Sequence, residues 1–315
     1  MIGTKILGFG GYQPDKVVTN DDLAKMVDTN DEWIRSRVGI QSRRVAGDDE
    51  TVADMAEAAG AKALAASGLE PSEVDLVIVA TCSPESPLPN VAATVAHRLG
   101  IPSPGAYDLN AACAGFCYGI GAASDSVRAG SARNALVIGA EKMTSWIDWT
   151  DRSTCIIFAD GAGAAVVGQA AADEQSGIGP VVWGSAGDLA EKITIEGRNG
   201  SLRQDGQSVF RWATSAVAPV ALEACRRAGV TPAEISAFVP HQANLRIIEA
   251  IARKLGIPRD RVADDIIQSG NTSSASIPLA LSRMAEQGKL QPGTPALLVG
   301  FGAGMCYASQ VITVP

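Results

Sequence analysis

Aromatic residues and histidine are both scarce in this sequence. Phe, Trp and Tyr make up 5% of the 315 residues, and there are only two histidines. Because a zinc ion in a structural site is held by about four ligands, so few histidines disfavour a metal site. No segment approaches the roughly 18 uninterrupted apolar residues that a membrane-spanning helix requires. We therefore predict neither a bound metal nor a membrane span.

Positive charge is in deficit as well. The 34 acidic residues outnumber the 26 basic ones, which gives a net charge of -8. General attraction to nucleic acid or anionic lipid is therefore not expected, and an anionic partner would have to meet a local basic patch. The first apolar stretch, MIGTKILGFGGYQP, is soon broken by glycines and lacks the long apolar core of a secretory signal. We expect a cytoplasmic protein whose six cysteines are mostly buried small hydrophobic residues.

Hydrophobic residues, at 46%, suffice for a large core. Three pairs of segments also repeat in the same order, about 156 to 161 residues apart. The pairs are Ala66–Val79 with Arg227–Pro240, Leu99–Pro102 with Leu255–Pro258, and Ala135–Ala140 with Ala296–Phe301. Both halves alternate helices with continuous apolar strands, which belong in a sheet covered on both faces. The sequence predicts a duplicated α/β protein with halves 1–170 and 171–315.

The stretch NAACAGFCYG places Cys113 and Cys117 four residues apart after an extended apolar segment. A metal site would need more ligands than the sequence offers, and a redox pair is expected as Cys-x-x-Cys. For Cys117 we prefer core packing. Cys113 lies where a helix is predicted to begin, and the positive end of the helix dipole would favour the thiolate and lower the thiol pKa. We interpret Cys113 as a nucleophile.

Polar clusters follow apolar strands of the second half. His241 ends the strand in SAFVPHQANLRII, where a polar group is costly unless it faces a site. His97 lies in an amphipathic helix and is expected to be solvated or to cap that helix. Asn271, in IIQSGNTSSASIPLAL, fits an ordinary turn or N-cap as well as a site. In LLVGFGAGMCYAS a strand leads into a glycine turn that can present a backbone NH to an oxyanion.

Several of these motifs resemble those of the β-ketoacyl-acyl-carrier-protein synthase III family, within the thiolase-like superfamily. They are AACAGF, VPHQANLRII, SGNTSSAS and GFGAG, together with TNDEWIRSRVGI and TDRSTCIIFADGAGAAVV. The resemblance implies a duplicated, five-layered α-β-α-β-α fold, which the internal repeat supports. It implies an enzyme that condenses a short-chain acyl-coenzyme A with malonyl-acyl carrier protein, losing carbon dioxide, to initiate fatty acid or polyketide synthesis.

The resemblance also implies a role for each candidate residue. Cys113 would carry the acyl group, and His241 and Asn271 would donate hydrogen bonds to the malonyl thioester oxygen during decarboxylation. The backbone NH groups of Cys113 and Ala303 would hold the oxyanion of the condensation step. Where the family has a GGG turn this sequence has GAG, which keeps the NH but has less φ freedom. Acyl-coenzyme A is then a substrate, and no cofactor is implied.

The coenzyme A contacts implied by the resemblance are Trp33, Arg37 and Arg152. The alternative for them is a packed Trp and surface ion pairs. The acyl pocket would include Phe301 and, from the other subunit of a homodimer, Leu88. Because some relatives have an aromatic residue in place of Leu88, we expect tolerance of branched or four-to-five-carbon starters.

One predicted helix of the second half carries a basic face. In HQANLRIIEAIARKLG, Arg246 and Arg253 share a helix face with Lys254 beside them, which would suit an acidic acyl carrier protein. A solvated helix face explains this pattern equally well.

Three other functions have to be compared with condensation. A thiolase would carry a second catalytic Cys before its glycine turn, whereas Cys306 follows it. A non-condensing acyltransferase and a catalytically silent partner subunit stay open, although Asn271 favours condensation.

Overall fold

Two β-sheets, one from each half of the chain, lie on either side of a central layer of helices. This computed structural model describes residues 2–197 and 200–315. The strands are β1 (Thr4–Tyr12), β2 (Val17–Thr19), β3 (Ser42–Arg44), β4 (Leu76–Ala80), β5 (Gly105–Leu109), β6 (Asn134–Lys142), β7 (Asp160–Gln169), β8 (Val182–Ser185), β9 (Ile193–Ile195), β10 (Leu202–Gln204), β11 (Ala237–Pro240), β12 (Pro295–Phe301) and β13 (Cys306–Thr313).

The first sheet has the order β1-β7-β6-β4-β5. Strand β4 runs parallel to β5 and β6, whereas β7 runs antiparallel to β6 and β1. Every residue of β4, LVIVA, is buried, because helices cover both faces of the sheet. The predicted division at residue 170 falls just after β7, and it stays a prediction.

The second sheet repeats this pairing. Its order is β11-β12-β13-β8, with β11 parallel to β12 and with β13 antiparallel to β12 and β8. Beside β11, a single parallel bridge between Phe238 and Val262 stands where the first sheet has β5. The duplication inferred from the repeated segments is therefore visible in the strand topology.

The helices complete five layers. They are α1 (Asn20–Ala24), α2 (Asp31–Val38), α3 (Val52–Ser67), α4 (Val91–Arg98), α5 (Gly115–Arg128), α6 (Gly206–Ala228), α7 (Leu245–Leu255), α8 (Ile266–Ser269) and α9 (Ser276–Glu286). Helices α3 and α4 cover the outer face of the first sheet, and α5 and α9 lie between the two sheets. Helix α6 covers the outer face of the second sheet, and α7 packs against α6. The predicted α-β-α-β-α arrangement is confirmed.

The two helices between the sheets, α5 and α9, begin without a side-chain cap, directly after a 3₁₀ turn. Ala112 opens the turn before α5 with φ 46°, and Ser273 opens the turn before α9 with φ 50°. Positive φ is uncommon outside glycine. In each turn an Asn side chain accepts a hydrogen bond from that residue's NH, Asn110 at 3.1 Å and Asn271 at 2.9 Å. The two halves thus build the same local structure at the point where they meet.

Candidate active site

A cavity of about 900 Å³ lies between the two halves, near the carboxyl ends of their central strands. Among the predicted site residues that line it are Cys113, His241, Asn271, Phe301 and Ala303. They come from four separate segments that the duplicated fold brings together. The volume is sufficient for a small organic substrate.

Cys113 lies in the turn before α5 and is 9% exposed. Burial raises the pKa of its thiol to about 11. The nearby Ser273 hydroxyl and the Ala303 backbone NH lower this pKa, whereas the negative charge of Glu141 raises it further. The expectation of a lowered pKa is wrong here, because loss of water outweighs the helix terminus. The resting nucleophile is a thiol that must lose its proton as it attacks.

His241 directly follows β11 and is 2% exposed. Its ring meets the ring of Phe301 edge-on, with the centroids 5.3 Å apart. Burial lowers the pKa of His241 to about 3, so the imidazole is neutral near pH 7. A neutral imidazole offers one NH donor and one nitrogen acceptor.

Ser276, the first residue of α9, determines which ring nitrogen carries the proton. Its Oγ lies 2.7 Å from Nδ1 of His241 and accepts a hydrogen bond from the NH of Gln242 at 3.2 Å. In the part of the chain that the structure describes, the Ser276 hydroxyl has no other acceptor for its own proton. It therefore donates to Nδ1, which leaves the proton of the neutral ring on Nε2. His241 is then prepared to donate a hydrogen bond from Nε2.

Asn271 is held by its backbone on both sides. Its NH donates to the carbonyl of Ile157 and its carbonyl accepts from the NH of Ala159, both at 2.9 Å. Gly270 before it has φ 69°, and a Cβ there would lie 3.0 Å from that of Ala159, so this position requires glycine. Because Oδ1 accepts from Ser273, the Nδ2 of Asn271 is the group that can donate to a ligand in the cavity.

The glycine turn after β12 packs directly on the nucleophile. A Cβ at Gly302 would lie 2.6 Å from Cβ and 2.8 Å from Sγ of Cys113. The positive φ values of the turn fall on Gly304, at 71°, and Met305, at 46°. Ala303 therefore needs no conformation reserved for glycine, and its NH still contacts the thiol. The replacement of GGG by GAG leaves the backbone donor in place.

Comparison with known proteins identifies the family. The sequence model for 3-oxoacyl-acyl-carrier-protein synthase III matches residues 107–187, and the model for its C-terminal part matches residues 225–314. The chain is 55% identical to beta-ketoacyl-acyl-carrier-protein synthase III 4 of Streptomyces coelicolor, over 99% of each chain. The chain belongs to the β-ketoacyl-acyl-carrier-protein synthase III family. It is accordingly an acyltransferase, and its family's reaction forms a 3-oxoacyl-acyl carrier protein.

Solved structures agree with this assignment. The 3-oxoacyl-acyl-carrier-protein synthase III of Aquifex aeolicus is 42% identical, covers 99% of this chain and 100% of its own, and superimposes with a TM-score of 0.95. A priming beta-ketosynthase from a polyketide biosynthetic pathway is 43% identical and superimposes with a TM-score of 0.96, over 99% of this chain and 96% of its own. The thiolase-like fold of the synthase III family is therefore that of this chain.

The residues predicted to contact coenzyme A lie together at the mouth of the synthase cavity. The guanidinium carbon of Arg152 lies 4.8 Å from the ring centroid of Trp33, and that of Arg37 lies 5.6 Å from it. Trp33 and Arg37 line the cavity, whereas Arg152 is held beside it by donating to the carbonyl of Asp28 at 2.8 Å. The mouth thus combines an aromatic surface with two cations, which suits stacking of a base next to phosphate groups.

The basic helix face divides into two parts. Arg246, at the start of α7, lines the cavity, and its guanidinium carbon lies 5.3 Å from the ring centroid of Phe210. Arg211 on α6 also lines the cavity, although the sequence analysis missed it. Arg253 and Lys254 are exposed at the far end of α7, about 10 Å along the helix axis. The predicted residues therefore connect the cavity mouth with the outer surface.

The two predicted acyl-pocket residues lie in different places. Phe301 is 1% exposed and lines the cavity. Leu88 is 80% exposed, in the loop before α4, and does not line the cavity of its own chain. Its assignment to the pocket therefore depends on a second subunit.

Two negative findings concern residues 2–197 and 200–315 only. No group of three His, Cys, Asp or Glu side chains in these ranges is arranged to hold a metal ion. Within the same ranges, no helix combines the length and apolarity needed to cross a bilayer.

Proposed function

We propose that this chain catalyses the decarboxylative Claisen condensation of a short-chain acyl-coenzyme A with malonyl-acyl carrier protein, which initiates fatty acid or polyketide synthesis. The observation that carries the proposal is the meeting of Cys113, neutral His241 and the amide of Asn271 on one cavity. A thiol can accept an acyl group. Two neutral NH donors can stabilise a developing enolate oxygen while the sulfur of Cys113 carries the acyl group.

Acylation comes first. The sulfur of Cys113 attacks the thioester carbonyl, the bond to the coenzyme A sulfur breaks, and the thiol proton leaves with coenzyme A. The tetrahedral oxyanion is met by the backbone NH groups of Cys113 and Ala303. Stacking on Trp33 with Arg152 beside it would hold the adenine end of the donor, and Arg37 would face its phosphates.

Decarboxylation and condensation follow on the acyl-enzyme. The malonyl carboxylate leaves as carbon dioxide, and its bonding electrons form an enolate whose oxygen accepts from Nε2 of His241 and Nδ2 of Asn271. The enolate carbon then attacks the acyl group on Cys113. Collapse of the second oxyanion breaks the bond to sulfur, releases the 3-oxoacyl-acyl carrier protein and returns the thiolate, which takes up a proton. Each developing charge has a hydrogen-bond donor, so we propose no further cofactor.

We also propose the partners. Arg246 and Arg211 at the mouth, with Arg253 and Lys254 beyond, form a basic surface in an acidic protein, which suits an acidic carrier protein. Strand β5 forms an edge of the first sheet, and its Tyr107 is 38% exposed. Pairing of two β5 edges in a homodimer would cover this edge and bring the exposed loop of Leu88 towards the partner.

The proposal is tested by incubating the chain with a short acyl-coenzyme A and malonyl-acyl carrier protein, and measuring carrier-protein mass and carbon dioxide. We expect 3-oxoacyl-acyl carrier protein and one carbon dioxide per product, and no product from Cys113→Ala. Transfer of the starter acyl group to the carrier protein without carbon dioxide release would instead indicate a non-condensing acyltransferase.

A further inference from the structure

A buried carboxylate beside the site takes no part in the steps above. Glu141, the penultimate residue of β6, is fully buried, and within the described residues it forms no ion pair with Lys, Arg or His. Burying an unpaired carboxylate is costly unless hydrogen bonds replace the lost water. The donors around Glu141 therefore indicate what the carboxylate does.

Those donors come from both halves of the chain. Oε2 accepts from the hydroxyl of Ser83 at 2.6 Å and from the NH of Cys82 at 3.0 Å. Oε1 accepts from the hydroxyls of Ser273 at 3.0 Å and Ser274 at 2.8 Å. Hydrogen bonds to a charged acceptor are roughly twice as strong as neutral ones. The carboxylate thus fastens the segment after β4 to the turn before α9.

That turn orients Asn271. The NH of Ser273 donates to Oδ1 of Asn271, and Ser273 has φ 50°, a conformation that costs about 1–3 kcal/mol outside glycine. The bond from the Ser273 hydroxyl to Glu141 holds this residue in place. Without it we expect the turn to relax, and the Nδ2 of Asn271 would then lose its fixed direction.

The internal repeat gives an independent view of the same contact. The register that aligns Ala135 with Ala296 also aligns Glu141 with Gly302, and the two 3₁₀ turns align Cys113 with Ser274. Gly302 packs on Cys113, and Glu141 binds Ser274. At one of these equivalent positions a glycine leaves room for the nucleophile. At the other a carboxylate fills the space and binds the turn.

We propose that Glu141 is a positioning residue for decarboxylation, holding the turn from Asn271 to Ser274 so that the amide of Asn271 faces the thioester oxygen. The inference rests on the proposed function. The titratable groups that face Cys113 are Glu141 from β6, Cys82 from the segment after β4 and neutral His241. Among them the negative charge of Glu141 raises the pKa of the Cys113 thiol. Neutralising it should therefore increase thiol reactivity while it slows decarboxylation.

Glu141→Gln tests these opposite effects in the full chain. One assay measures alkylation of Cys113 by iodoacetamide across neutral to alkaline pH, with peptide mass spectrometry. The other measures carbon dioxide release from malonyl-acyl carrier protein. We expect the alkylation profile to move to lower pH and carbon dioxide release to fall about tenfold, as for loss of one charge-assisted hydrogen bond. The control is Asp160→Asn, since Asp160 is also fully buried but binds Thr144 and Ala46. We expect the control to keep both rates.

Each contrary result has a distinct meaning. If alkylation and carbon dioxide release fall together in Glu141→Gln, the residue has only a structural role; if carbon dioxide release is unchanged, it positions nothing. Ser273→Ala removes the hydrogen bond from the Ser273 hydroxyl to Glu141 but keeps the carboxylate. This variant replaces Glu141→Gln in the test if Glu141→Gln does not fold. It should slow carbon dioxide release similarly, and the double variant should add little; additive losses would overturn the link. Absence of condensation in the wild type would refute the proposed function instead.

Discussion

Replacing Gly302 by Ala tests how tightly the nucleophile is packed. The new Cβ would lie 2.6 Å from Cβ, 2.8 Å from Sγ and 3.1 Å from N of Cys113. Real Cβ atoms essentially never come within 3.0 Å of another heavy atom, so either Cys113 or the segment after β12 must move. Overpacking of this kind costs about 1–3 kcal/mol. Because that segment also carries the NH of Ala303, the oxyanion donor moves with it.

The expected magnitude follows from that donor. Complete loss of one oxyanion donor costs about two to three orders of magnitude in rate. We expect a partial displacement to slow acylation of Cys113 at least ~tenfold, equivalent to about 1.4 kcal/mol. Time-resolved intact-protein mass spectrometry with acetyl-coenzyme A measures this rate. Gly187→Ala is the matched control, since Gly187 is exposed, has no positive φ and has no atom within 4 Å of its Cβ position. Acylation of Gly302→Ala at the wild-type rate would refute the reasoning.

Four further predictions concern the histidine and the substrates. Ser276→Ala should lower the condensation rate up to ~tenfold, and ¹⁵N NMR in a His97→Gln background should show His241 losing its single Nε2–H tautomer; an unchanged tautomer would contradict this. Because burial lowers the pKa of His241 to about 3, between about pH 6.5 and pH 3 the unfolded chain binds a proton that the folded chain does not. Stability should therefore fall as pH decreases, and His241→Gln should shift the acid-unfolding midpoint to lower pH, whereas an identical midpoint would disprove the assignment. Trp33→Ala should raise KM for acyl-coenzyme A with little change in the saturated acylation rate, and an unchanged KM would remove Trp33 from that contact. Turnover of isobutyryl- and isovaleryl-coenzyme A should rival that of acetyl-coenzyme A and fall in Leu88→Phe, while strict acetyl preference in the wild type would refute the starter prediction.

The fold and the reacting residues could be predicted because both leave local signals in the sequence. The repeated segments correspond to equivalent elements of the two sheets, such as Ala135–Ala140 in β6 and Ala296–Phe301 in β12. Cys113 and His241 stand out as polar groups at the ends of apolar strands. Asn271 was ambiguous, because a turn residue and a hydrogen-bond donor have the same local sequence. It is in fact both, since Oδ1 closes the turn and Nδ2 remains for a ligand.

Other features depend on distances that no local pattern encodes. The pKa of Cys113 moves opposite to the predicted direction, because a helix terminus is visible in sequence but the depth of burial is not. Glu141 was missed, since one acidic residue near the end of an apolar strand gives no sign that donors from both halves surround it. Aligning the two halves residue by residue would have revealed Glu141 opposite Gly302.

The central claim is that Cys113 carries the acyl group donated by coenzyme A. Intact-protein mass spectrometry after incubation with acetyl-, isobutyryl- and isovaleryl-coenzyme A tests it most directly, with wild type and Cys113→Ala compared under identical conditions. We predict one acyl adduct on the wild type, located on the peptide that contains Cys113, and none on the variant. An equal adduct on both proteins, or no adduct on folded wild type with any of these thioesters, would contradict the claim.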